Sequence, residues 1–157
     1  MKLLAEINHA RAALSTTPPG WLAEHICAAV AVAHRAAAEL ATLDGWNTAL
    51  GSTGAALHLN LAETALREAW PSAWWTARPA PAHGPDLEPG EAPDVARAVA
   101  ALLHHTRTAL AAAAVDEATD VDNAPLADRL AAARAICDLD LARDALGDQL
   151  AANDTRR

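Results

Sequence analysis

Between Leu22 and Leu40 apolar side chains recur every three or four positions. Leu22, Ile26, Ala29, Val30, Ala33, Ala37 and Leu40 fall on one stripe of a helix turning about 100° per residue, with Glu24, Arg35, Glu39 and Thr42 opposite. The spacing predicts a helix over 18–43. Thr17 before Pro18 reads as its N-cap, with proline at the first helical position. Continued further, the phase would carry Asp44 into the apolar stripe, so Asp44-Gly45 is expected to end the helix.

The same periodicity organises the rest of the chain. Leu3, Ile7, Ala10 and Leu14 predict a short helix over 2–15, and the prolines and glycine at 18–20 separate it from the next. A connection over 46–54 precedes a helix over 54–70, capped by Ser52 or Thr53. Its expected inner face is His58, Leu61, Ala62, Ala65, Leu66 and Ala69; Asn60, Glu63, Thr64, Arg67 and Glu68 face outward. A fourth helix over 94–115 presents Val95, Val99, Leu102, Thr106, Ala109, Leu110 and Ala113, and the acidic run 116–122 is expected to stop it. A fifth over 125–152 has two competing stripes. Leu126, Leu130, Ala133 and Cys137 run into Asp140 and Asp144, whereas Leu139, Leu146 and Leu150 lie on a neighbouring face. Either the buried side rotates or two carboxylates approach the core.

Residues 71–93 break the pattern. Pro71, Pro79, Pro81, Pro85, Pro89 and Pro93 remove backbone donors and push the preceding residues away from helical angles. No regular helix or strand is expected there beyond a turn at 72–75. The stretch 78–92 is expected to be exposed and mobile. The expected fold is therefore all-α: one domain over 1–157, built as a four-helix bundle. It carries a short extra N-terminal helix, a long Pro-rich loop at 71–93 between helices three and four, and a polar tail at 153–157.

Composition changes this picture in two ways. Alanine makes up roughly a quarter of the chain, far above its usual share. Alanine favours helix but buries little area, so helices faced with it approach closely and leave little room for a large internal pocket. The only aromatic residues are five tryptophans, since Phe and Tyr are absent.

The net charge of −8, with no basic run, gives no footprint for nucleic acid or an anionic membrane. No stretch is apolar enough to span a bilayer. The first residues mix acid and base into their apolar pattern, so no signal peptide is expected. A cytoplasmic location is the expectation. Cys27 and Cys137 lack metal-type spacing and read as free, buried thiols.

Candidate chemistry is sparse. Helical bundles host metal sites built from side chains on facing helices, and here the strongest set is His58, His105 and Asp140. His25, His34, Cys137 and Asp144 are further contributors, and zinc or iron is the matching ion. Against this, the chain has a single Glu-x-x-His pattern, Glu6 to His9, where a di-iron bundle needs two. It has no His-x-x-x-His pair. Asp120 and Asp122 match the first ligands of a calcium loop, but Ala124 and Ala131 fail at later positions. No nucleophile elbow, phosphate loop or dinucleotide fingerprint is present.

Trp70, Trp74 and Trp75 cluster beside the Pro-rich segment. Indoles bury much area at little entropic cost and are enriched at recognition surfaces. They equally serve to close a thin, alanine-faced core. The expected function is a non-enzymatic helical interaction or regulatory module, with a protein partner or self-association through Trp70, Trp74 and Trp75. No cofactor is expected on that reading. The alternative is a bundle that binds a metal or a small ligand, with a metal-dependent enzyme as its furthest extension.

Overall fold

The computed structural model describes residues 2–18, 21–46, 51–77, 87–119 and 126–155, and among them side chains other than those of 115–119 and 126–128. Every regular element among these residues is helical: α1 (Lys2–Thr16), α2 (Leu22–Thr42), α3 (Gly51–Ala69), α4 (Pro71–Ala77), α5 (Ala92–Thr119) and α6 (Leu126–Asp154), with a 3-10 turn at Pro89–Glu91. None of the described helices is long and apolar enough to cross a membrane.

Helix α2 is the axis of the molecule. It packs on α1, α3, α4 and α5, and its buried residues extend well beyond one stripe to include Cys27, Ala31, Val32 and Ala36. A helix covered on several sides needs small side chains, and α2 supplies alanines. Each buried methyl stabilises by only ~0.8 kcal/mol, against ~1.5–3 kcal/mol for a leucine or isoleucine. The large fully buried residues Ile7, Ile26, Leu40, Leu59, Leu66, Leu102, Leu110, Leu139 and Leu146 therefore carry most of the core energy. The most extensive pairing joins α3 to α6. Helix α6 also packs on α5, and α5 returns to α2.

The ends of α2 differ from expectation. The helix begins at Leu22, and Trp21 occupies its cap position without a side-chain hydrogen bond. Thr17 instead donates its hydroxyl hydrogen to the Ala13 carbonyl, closing α1 rather than opening α2. At the other end Trp46 N–H donates to the Leu43 carbonyl at 3.1 Å, with Gly45 at φ +80° as the third residue of the turn. That left-handed position favours glycine, as the sequence pattern anticipates.

Two helical faces also differ, and a third helix differs at its ends. In α3 the buried residues are Gly51, Ser52, Ala55, Leu59, Ala62, Glu63, Ala65 and Leu66. Leu59 takes the place expected for His58, Leu61 is exposed, and Glu63 is inside. In α6 the buried line is Ala132, Ala135, Leu139, Ala142, Leu146 and Gln149, while Leu130 and Cys137 face solvent. The stripe through Leu130 and Cys137 is the outer one, and no carboxylate pair enters the core. Helix α5 buries Val95, Val99, Leu102, Thr106 and Leu110 as expected, but starts at Ala92 and runs through the acidic positions 116 and 117 to Thr119.

The Pro-rich segment is partly helical. Pro71 starts the two-turn α4, where its missing N–H costs nothing. The preceding Trp70 N–H donates to Leu66, and Trp74 N–H donates to the Trp70 carbonyl at 2.9 Å, so α4 follows α3 across one bent residue. Leu87 is buried rather than solvated. The expectations for 78–86, and for the calcium-like residues at 120–125, lie outside the described residues.

Candidate functional site

The three helices α2, α3 and α4 enclose an open cleft of about 410 Å³. Its polar and aromatic lining is His34 and Arg35 from α2, Glu63 and Arg67 from α3, and Trp74 and Trp75 from α4, over alanine methyls of α2. The alanines matter here: they bring backbones close and leave the long side chains of neighbouring turns to form the walls. Helix α4 exists because Pro71 restarts the chain in helical geometry after Trp70, which turns the two adjacent indoles to different surroundings. Trp74 packs inward at 7% exposure, and Trp75 stays 67% exposed at the cleft.

At the base of the cleft, His34 Nδ1 lies 3.0 Å from Glu63 Oε1. A carboxylate accepts, so Nδ1 carries the hydrogen. Glu63 is buried, and this bond from His34 replaces water at one of its oxygens. Arg35 pairs with Glu6 of α1. Arg67 lies over the Trp74 ring, its guanidinium carbon 5.0 Å from the ring centroid, a cation–π contact. Among the described residues Arg67 makes no ion pair or hydrogen bond. Cys27, below the cleft on α2, is an inert thiol. Burial, then the Glu24 carboxylate, with Glu63 adding to both, push it up to about 12.

The metal candidates are dispersed. His58 is half-buried, and its Nδ1 donates to Asp138 Oδ1 at 3.0 Å, tying α3 to α6. His105 is exposed, with Nδ1 2.8 Å from the carbonyl of Ala101 in its own helix. Asp140 accepts from Arg107 Nε at 3.2 Å and lies 3.5 Å from Arg143, while Asp144 is exposed beside Arg143. Among the described residues no three His, Cys, Asp or Glu side chains are placed to hold a metal ion. His25 bonds to the carbonyl of Trp21 at the start of its own helix. Cys137 is exposed rather than buried.

Of the three clustered tryptophans, Trp70 is half-buried against the core, and the other two line the cleft. Sequence reasoning points to this corner but misses its polar residues. His34 stands there as one contributor among several, and Glu63 and Arg67 read as an outward face. The available signal is the i, i+4 spacing of Glu63 and Arg67 on the helix that leads into the Trp pair. The fold and cleft thus define an all-helical protein with a concave, mixed polar and aromatic site at its α4 corner. No family model matches the chain, and no curated protein or solved structure matches it.

Proposed function

We propose that the chain is a non-enzymatic helical binding module, regulatory in character, that takes a small molecule in the cleft between α2, α3 and α4. On this reading α2, α3, α5 and α6 form a four-helix bundle, α1 packs alongside, and α4 is the wall that completes the site. The observation that carries the reading is Trp75, whose indole stays 67% exposed at the edge of a concavity of about 410 Å³. Small-molecule sites are concave and combine apolar walls with fixed polar groups; here two indoles and alanine methyls stand beside His34, Arg35, Glu63 and Arg67. A protein interface at the same corner would draw on all three indoles, yet Trp74 is buried and Trp70 half-buried. That distribution favours a ligand that enters the cleft over a partner laid across a flat aromatic face.

The test is a thermal-shift screen of small molecules on the wild-type chain and on Trp75→Ala. A ligand of the folded state raises Tm by mass action, by about 2.7 kcal/mol of stability at a hundredfold excess over Kd. Trp75→Ala is expected to keep the unliganded Tm and lose the ligand-induced shift. Hits that shift both proteins equally would place binding elsewhere and end this proposal.

A further inference from the structure

Resting on the cleft being a binding site, we infer that its ligand is a small organic anion with a flat, unsaturated body. The argument starts from which charges are already satisfied. Glu63 is buried, its side chain 11% exposed, and its Oε1 accepts from His34. Arg35 is paired with Glu6. Arg67 is the cleft cation with no carboxylate against it among the described residues, and it is exposed. A molecule entering from solvent therefore meets the Arg67 guanidinium before it meets Glu63.

The position of Arg67 is prepared as well as charged. Its guanidinium sits 5.0 Å from the Trp74 ring centroid, so a long side chain that normally samples many rotamers is held against a buried indole. A planar fork of donors fixed in advance suits carboxylate or phosphate, which accept two parallel hydrogen bonds. Trp74 gives its face to that contact. The neighbouring Trp75 presents its indole at the same cleft, the natural surface for a flat apolar body to stack on. The head group and the body of the ligand thus have separate, adjacent partners.

The net charge of −8 opposes approach of an anion at long range. At physiological ionic strength that field decays over about 8 Å, whereas a bidentate contact to Arg67 acts at hydrogen-bond distance. The protein's overall charge slows encounter without removing the site.

Calorimetric titration of the full chain with three probes sharing one ring system tests the inference: 2-naphthoate, 2-naphthyl phosphate and the neutral 2-naphthamide. The two anions are expected to bind about tenfold or more tighter than the amide, as charge-assisted bonds exceed neutral ones. The tighter of the two anions identifies the head group as carboxylate or phosphate. Arg67→Gln should bring the anions to within about twofold of the amide, while Trp75→Ala should weaken all three together. An exposed Arg67 makes its replacement safe for folding, which an unchanged melting curve verifies. Equal binding of acid and amide, or an anion preference that survives Arg67→Gln, overturns the anion inference and leaves the cleft as a binding site. Failure of all three probes at millimolar concentration, or binding unaffected by Trp75→Ala, overturns both.

Discussion

Replacing Gly51 by alanine probes a close contact between α3 and α6. A Cβ built on Gly51 would fall 2.8 Å from the Cβ of Gln149 on α6, closer than side-chain carbons approach one another. Gln149 cannot swing away freely. It is 1% exposed, and its Nε2 donates to the Gly45 carbonyl at 3.0 Å and to Asn153 Oδ1 at 3.3 Å. Overpacking of this kind costs ~1–3 kcal/mol. Displacing the glutamine amide from its carbonyl would add ~1–3 kcal/mol more. The helical preference of alanine over glycine returns at most ~1 kcal/mol, and less at the first residue of a helix. The expected net loss is ~2 kcal/mol, or roughly 4–8 °C in Tm for a chain of this size. At Gly147, also on α6, an added methyl would meet nothing within 4 Å. There Gly147→Ala should stabilise by ~0.5–1 kcal/mol. Urea melts of both variants, with m-values, make the comparison. Pairing Gly51→Ala with Gln149→Ala should recover about 1 kcal/mol relative to additivity, since the second change removes the crowding Oε1 and Cδ and leaves only the Cβ contact. If Gly51→Ala is neutral or stabilising at unchanged m, the close α3–α6 approach is wrong.

Trp74→Ala should cost ~3–5 kcal/mol in a thermal melt because the ring is buried, whereas Trp75→Ala should stay within ~0.5 kcal/mol of wild type. Asp138→Asn and His58→Ala should each destabilise by about 1 kcal/mol in urea melts, and a double-mutant cycle should show them coupled; independent effects would mean that the His58–Asp138 bond does not hold α3 to α6. Iodoacetamide at pH 8 should label Cys137 in the native chain and spare Cys27, whose raised pKa leaves it as thiol until pH approaches about 12, with both labelled in denaturant by mass spectrometry.

What the sequence made legible tracks the size of its side chains. Leu3, Ile7 and Leu14 of α1 share one stripe, as do Val95, Val99, Leu102 and Leu110 of α5, and both stripes are buried. In α3, Leu57 and Leu61 lie one turn apart on a shared face and Leu59 points to the opposite side, so only one of the two faces can enter the core. The surrounding alanines give no contrast to decide which, and the expected phase settles on His58 and Leu61 where Leu59 is buried. Helix α6 poses the same problem with Leu130 and Leu139, and there the alanines at 132, 135 and 142 select the second. The cleft is hidden for a related reason. Glu63 and Arg67 look like an outward face unless α4 is known to fold back over them, and α4 begins with a proline inside a segment that reads as loop. Local pattern cannot show that two helices of small residues leave room for a third wall.

The pairing of α3 with α6 also sets a schedule for making the protein. The Gln149 to Gly45 bond spans 104 residues, and the His58 to Asp138 bond spans 80. At ribosomal speeds of about 5–20 residues per second, the inner face of α3 waits about 4–16 s after its own synthesis before α6 can cover it. During that interval α3, with Ala55, Leu59 and Ala62 on its inner face, has only α2 and the short α4 to pack on among its partners in the finished fold before α5 and α6. Alanine serves the nascent chain well here: a face of methyls is a weak target for misassociation, and Leu59 is its main adhesive point. A chain arrested before residue 126 should expose that face to a chaperone or to a second nascent copy, and replacing Leu59 by glutamate in the arrested chain should relieve the association.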